Sequence, residues 1–244
     1  MSKSTPPDET IPLTDHHRVP NMVGGIFQAH PWHGVPIGED FPEKVNCYIE
    51  LVPTDTVKYE LDKDSGHLKI DRPQLFSNTC PMPYGLVPQT LCDQRVAERC
   101  MEKTGRTDIV GDGDPIDICV ISERPIPHGN LLLTARVIGG LRMIDNGEAD
   151  DKLIAVMKQD PGFVNWKDIY DMPDAFIDRL RHYFITYKQR PGYTSPCEIA
   201  EVYDVREAQH MLRLSYEDYK DVYGLQHDEL SHAQANRRKF RQGV

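Results

Sequence analysis

Gly111-Asp112-Gly113-Asp114-Pro115-Ile116-Asp117 runs straight into Ile118-Cys119-Val120-Ile121. The acidic run ends where an apolar one begins, and the apolarity of Ile116–Ile121 predicts a strand covered on both faces and central in its sheet. Working outward, the pattern predicts further strands at Leu131–Gly140 and Lys152–Met157. Upstream, Val45, Cys47, Ile49 and Leu51 alternate with Asn46, Tyr48 and Glu50. That period of two predicts a half-buried strand with Glu50 turned away from the apolar row. A second alternation sets Val57, Tyr59 and Leu61 against Lys58 and Glu60, and beyond the turn at 62–66 Leu68 and Ile70 oppose Lys69 and Asp71. The two make a hairpin with a charged face.

Between Cys92 and Gly111 four acids and four bases cancel, and this insertion is expected to be a surface excursion. Helix signals come late. Asp171-Met172-Pro173-Asp174 offers a cap and an early proline, after which Phe176, Ile177, Leu180, Tyr183, Phe184 and Tyr187 recur at helical spacing as far as Pro191-Gly192. Asp204 with Glu207 resembles a capping box, and the amphipathic helix that follows is expected to end near Gly224. Strands first and helices last suggest an α+β domain whose helices cover a closed or strongly curved, antiparallel-rich sheet. The division expected is an irregular N-terminal arm over 1–40, one domain over 41–224 with its insertion at about 92–111, and a polar, basic tail over 225–244 that ends in solvent. In the arm, His30-Pro31-Trp32-His33 reads as a metal pair or as an aromatic anchor on the core; with no third ligand nearby, the anchor is the better reading.

The chain has 244 residues, of which 39% are hydrophobic and 27% charged, so it is a globular protein and not a disordered one. No stretch approaches the roughly 20 apolar residues that span a bilayer, and Met1–Thr10 lacks the apolar core of a signal peptide. A cytoplasmic location without membrane partners is therefore expected. The six cysteines are scattered with no Cys-x-x-Cys pair, which argues against a zinc ribbon and for reduced thiols. With 28 Lys plus Arg against 38 Asp plus Glu the formal charge is −10. Nucleic acid is a poor partner for such a chain, whereas divalent cations, or phosphates carried by them, suit it.

Asp112, Asp114 and Asp117 carry the chemistry. Asp112 and Asp114 share one side of an extended chain and Asp117 falls opposite, unless Gly113 and Pro115 bend the backbone so that all three converge. Hard oxygen ligands at a bend are what Mg²⁺, Mn²⁺ or Ca²⁺ require, although an acidic turn before a strand is the plain alternative. An EF-hand fits worse, since its sixth position needs Gly and here is Asp117. A second acidic group, Asp145-Asn146-Gly147-Glu148-Ala149-Asp150-Asp151, precedes Lys152 and taken alone is an ordinary hairpin loop. Lys58, Arg72, Lys152 and Tyr187-Lys188 border element ends from which they can face the same cleft. Carboxylates holding several metals, ringed by Lys, Arg and Tyr, are the arrangement expected for cleaving a polyanionic phosphate.

Asp112-Gly113-Asp114-Pro115-Ile116-Asp117 resembles the signature of the soluble inorganic pyrophosphatases of family I. The resemblance continues in chain order through Ile49-Glu50, Lys58-Tyr59-Glu60, Asp71-Arg72, Pro83-Tyr84-Gly85, Asp145, Asp150-Asp151-Lys152 and Tyr187-Lys188, and spans roughly Phe41 to Tyr223. It implies a five-stranded, OB-like closed β-barrel with flanking helices. It also implies Mg²⁺-dependent hydrolysis of pyrophosphate, arriving as its Mg complex, to two orthophosphates by a metal-bridged water or hydroxide. Three to four Mg²⁺ per active site are implied, with Mn²⁺ or Zn²⁺ as substitutes, in a homo-oligomer. Carried over by position, Asp112, Asp117 and Asp150 match ligands of the tightest metals, Asp145 joins Asp150 at a further one, and Glu60 holds one brought with substrate. Asp114 matches the general base. Lys58, Arg72, Tyr84, Tyr187 and Lys188 match phosphate-binding positions, Lys152 a cation beside the metal loop, and Glu50 a carboxylate behind the ligands.

The chain departs from the family pattern at Cys80, where a Tyr is usual, and at Asn146, where an acid often stands. The arm and the tail have no counterpart in the compact family core, and the insertion, directly before the signature, is placed to shield the cleft or form a subunit contact. A nucleic-acid-binding module on an OB-like barrel is the competing class; its ligand face needs aromatics interleaved with Lys and Arg, and here that face carries acids.

Overall fold

The computed structural model describes residues 28–241, with side chains described as far as 224. In chain order the strands are β1 (Lys44–Leu51), β2 (Val57–Leu61), β3 (Leu68–Pro73), β4 (Tyr84–Leu86), β5 (Val110–Gly111), β6 (Asp117–Ile121), β7 (Leu131–Asp145), β8 (Glu148–Ala149), β9 (Lys152–Met157) and β10 (Cys197–Tyr203). The helices are α1 (Gln94–Thr104), α2 (Asp174–Thr186) and α3 (Val205–Arg241).

The apolar strand sits where its composition requires. β6 pairs antiparallel with β4 on one side and parallel with β9 on the other, and both its faces are covered. Ile118 and Val120 point into one hydrophobic cluster with Val96 and Cys100 of α1 and Met211 and Leu212 of α3. Cys119 and Ile121 point into another with Leu180 and Phe184 of α2. The alternation of a single strand thus feeds two cores, each fully buried Ile or Leu contributing about 1.5–3 kcal/mol.

β9 pairs antiparallel with β7, the long strand of the sheet, and β7 pairs antiparallel with β1 near its start and β10 toward its end. β1 also pairs with β4. The sheet is mixed, its strands very unequal in length, with bulges where β7 meets β9 and where β1 meets β4. With the helices against it, the fold is α+β. β2 and β3 form a separate antiparallel ribbon, the hairpin expected from their alternation.

Several expectations are corrected. The insertion at 92–111 is not a surface excursion, because α1 occupies it and buries Val96, Ala97 and Cys100. Helices therefore do not wait for the end of the chain. α3 continues through Gly224 to Arg241, so the expected end of that helix is also wrong. β7 does not stop at Gly140, and β4, β5, β8 and β10 had no signal strong enough to be read. β1 is not half-buried: Tyr48 is buried in a small cluster with Trp32 and Leu61, and Glu50 is buried as well, since the ribbon and the arm lie over this end of the strand. Residues 28–40 carry neither helix nor strand; the rest of the expected arm, 1–27, and residues 242–244 lie outside the described residues.

Candidate active site

The loop from β5 to β6 makes the bend that three convergent carboxylates need. Gly113 has a φ of +73°, which an L side chain rarely adopts, and its N–H donates to Cys92 O at 3.0 Å. Asp112 Oδ1 accepts from Asp114 N at 2.8 Å, an Asx turn that reverses the chain before Pro115. The loop is tied down where Cys92 N donates to Asp114 O and Ile116 N to Thr90 Oγ1.

Sheet register does the rest. Asp117 at the start of β6 lies beside Lys152 at the start of parallel β9, and Asp145 closes β7 opposite Glu148. Asn146 and Gly147, both at positive φ, turn this tight hairpin and deliver Asp150 to the mouth of β9. The Asp112 and Asp150 carboxyls are close enough for the charge of one to act on the other. The Lys152 ammonium contacts both Asp150 and Asp117, and Tyr84 of β4 donates its hydroxyl to Asp117. Lys188, one residue past the C-cap of α2, contacts Asp145, with Tyr187 buried beside it. Lys58 contacts Glu60 along β2 and lies 3.7 Å from Asp71. Glu50 accepts from Leu61 N at 2.6 Å, tying ribbon to sheet.

These side chains line one cleft of about 540 Å³. Every residue singled out from the sequence borders it except Arg72. Arg72 contacts Asp71, sits 5.7 Å from the Tyr187 ring centre, and keeps its Nη2 buried and unpartnered. The cleft also takes in Trp32, Asp62, Lys63, Asp64, Lys69 and Glu148, which sequence reasoning did not assign to it. Only the turn between β2 and β3 carried a signal: its charges follow a strand whose polar face was already assigned to the site. Trp32 is the anchor expected of the arm, 2% exposed with Nε1 donating to Thr90 O at 2.8 Å.

Ten carboxylic acids and five lysines face one another in this space. Burial, and then the charge of Asp150, push the Asp112 carboxyl up to about 9. Burial and then Asp117 push Glu50 up to about 8. Burial also raises Asp117 against the pull of Lys152, whereas at Asp150 burial, the largest single influence, is outweighed by Lys152, Lys188 and Asp112 together, which hold the carboxyl low. A cluster that cannot ionise fully by itself, made of hard oxygen donors, fits divalent cations. As the side chains stand, Lys152 lies between Asp117 and Asp150, and among the described residues no three His, Cys, Asp or Glu groups are gathered for one ion.

The α+β fold carries one acid-lined, lysine-ringed cleft, a donor set that suits divalent cations together with a small polyanion. A family model described as inorganic pyrophosphatase matches residues 47–220. The chain is 48% identical over 200 residues to the inorganic pyrophosphatase of Chlamydia muridarum (strain MoPn / Nigg), across 80% of this chain and 96% of that relative. It is 40% identical over 161 residues to soluble inorganic pyrophosphatase 1 of Arabidopsis thaliana, across 66% and 67% of the two chains. A crystal structure of inorganic pyrophosphatase from Thermus thermophilus superposes with a TM-score of 0.65 at 30% identity, covering 78% of this chain and 99% of that one. The chain belongs to the inorganic pyrophosphatase family, and with that membership comes a divalent metal cofactor.

Proposed function

We propose that the hydrolysis of pyrophosphate, which the family membership assigns to this chain, runs with Asp114 as general base. The observation that carries this is one cleft lined by Asp114, Asp112, Asp117 and Asp150 together with Lys58, Tyr187 and Lys188. Asp112, Asp117, Asp150 and Asp145 would hold Mg²⁺, with Glu60 taking an ion that arrives with substrate. When bound, three to four such cations neutralise phosphate oxygens and lower the pKa of water, with Mn²⁺ or Zn²⁺ able to substitute. Asp114 accepts a proton from the attacking water as its oxygen bonds to one phosphorus. The bridging P–O bond breaks, and two orthophosphates leave. Lys58, Lys188, Tyr84, Tyr187 and Arg72 bind the phosphate oxygens, and the unpartnered Nη2 of Arg72 is a donor still free for that use. Lys152 sets the charge between the ligands, and Glu50 holds the ribbon that carries Lys58 and Glu60.

The same reading takes 41–224 as the catalytic domain and the strands β1, β4, β6, β9 and β7, each paired to the next and β7 back to β1, as a five-stranded barrel. It takes the protein as a homo-oligomer. It assigns a cytoplasmic location. In support, all six cysteines are unpaired and buried, and no helix among the described residues is long and apolar enough to cross a membrane. The test is Asp114→Asn. It should lower turnover by about 10²–10⁴-fold with the fold intact, and unchanged turnover rules Asp114 out as the base.

A further inference from the structure

Lys63 contacts Asp114, yet the pair is too exposed to hold itself: the side chains are 48% and 47% exposed. A pair of that kind shifts an equilibrium by no more than a factor of about five. The turn that carries Lys63 is closed on itself, with Gly66 N donating to Asp62 O and Ser65 N to Asp62 Oδ1, and His30 is what ties it to the arm. His30 Nδ1 faces the backbone N–H groups of both Trp32 (3.2 Å) and His33 (3.3 Å), so it is the acceptor nitrogen. Nε2 therefore carries the proton and donates to Lys63 O at 3.0 Å. The fit is close. A Cβ at Gly66, whose φ is +72°, would stand 2.8 Å from His30 Cδ2, so only glycine lets the ring lie against the turn. The arm is anchored in turn at the loop carrying Asp114, because Trp32 Nε1 donates to Thr90 O and Thr90 Oγ1 accepts from Ile116 N.

We infer that His30 and Lys63 are positioning residues for Asp114. The N-terminal arm braces the β2–β3 turn against the loop before β6, so that the Lys63 ammonium orients the carboxylate for proton abstraction. This rests on the reading of Asp114 as the base. His30 touches neither substrate nor ligands and acts through Lys63 alone.

A double-mutant cycle on the full chain tests this, with kcat and KM for pyrophosphate measured in Mg²⁺ for His30→Ala, Lys63→Ala and the double variant. His30→Ala should lower kcat about five- to tenfold with KM changed less than about twofold, the loss expected of one positioning hydrogen bond. Lys63→Ala should lower kcat by about the same factor or more, and adding His30→Ala to it should cost less than about twofold further. His30→Gln, whose amide can still donate to Lys63 O, should recover most of kcat, and it carries the cycle if His30→Ala fails to fold. Without substrate, amide exchange at Ser65 and Gly66 should quicken in His30→Ala. Losses that multiply in the double variant, or an unchanged kcat in either single variant, overturn the inference. Asp114→Asn separates the two ideas. If it abolishes turnover while the cycle is multiplicative, only the bracing role falls; if it retains turnover, the base assignment falls first.

Discussion

At Lys152 an ammonium group 2% exposed lies against Asp117 and Asp150 and packs over Tyr84 and Phe184 at just under 6 Å. Removing one partner from a buried charge cluster costs about 3–5 kcal/mol, because the remaining charges are left uncompensated. Lys152→Met should lower metal-free stability by that amount in a denaturant titration, and Mg²⁺ should return part of it by supplying the missing charge. The raised carboxyls set the pH dependence. Asp112, Glu50 and Asp151 are lifted to about 9, about 8 and about 7, burial being the first cause in each case. Between the ordinary carboxylate range and those values the folded state binds more protons than the unfolded one, so stability is greatest at the acid side and is lost as pH rises. Each such proton is worth up to about 1.4 kcal/mol per pH unit. Asp150 and Asp62, held low, act in the opposite sense but only below about pH 4. The melting temperature in a chelator should therefore fall between pH 5 and 9, and fall less in Mg²⁺; a metal-free melting temperature that rises over this range contradicts the assignment. At this scale the sequence was informative because acids two or three apart at a glycine bend are costly unless solvated or metal-bound. What was not legible is the partnership of Lys63 with His30, since the two lie 33 residues apart and share no local pattern.

α1 illustrates what an element needs beyond its own sequence. Val96, Ala97 and Cys100 face the core, but Asp93 makes no side-chain cap to the helix. The cap comes instead from Asp218 on α3, 2% exposed, whose carboxylate accepts from the N–H groups of Asp93, Arg95 and Val96 and from Arg95 Nη1. A start signal supplied 125 residues downstream leaves no trace in a local reading, which is why the insertion read as a surface loop. Asp218→Ala should cost about 2–3 kcal/mol, more than an ordinary cap, because several buried donors lose one acceptor. Urea titration checks this; a change below about 0.5 kcal/mol shows that α1 is held by packing alone. β6 is the opposite case. Its partners on both faces are apolar whichever way the sheet curves, so its position could be read directly. The short strands β4, β5 and β8 owe their conformation to their neighbours and were invisible for that reason.

For the whole molecule, charge and function meet in the cleft. Its ten acids and five lysines leave a formal surplus of five negative charges, half of the −10 carried by the chain. Without cations such a cleft repels pyrophosphate, and three divalent ions reverse its sign. Dependence on a divalent metal is thus the central claim, and the most direct measurement is orthophosphate release from pyrophosphate by the purified full chain, in Mg²⁺ and in excess chelator. Rapid release in Mg²⁺ that ceases in chelator, with the fold unchanged by circular dichroism, is the predicted result. A folded protein that releases none in Mg²⁺, or as much in chelator as in Mg²⁺, contradicts it.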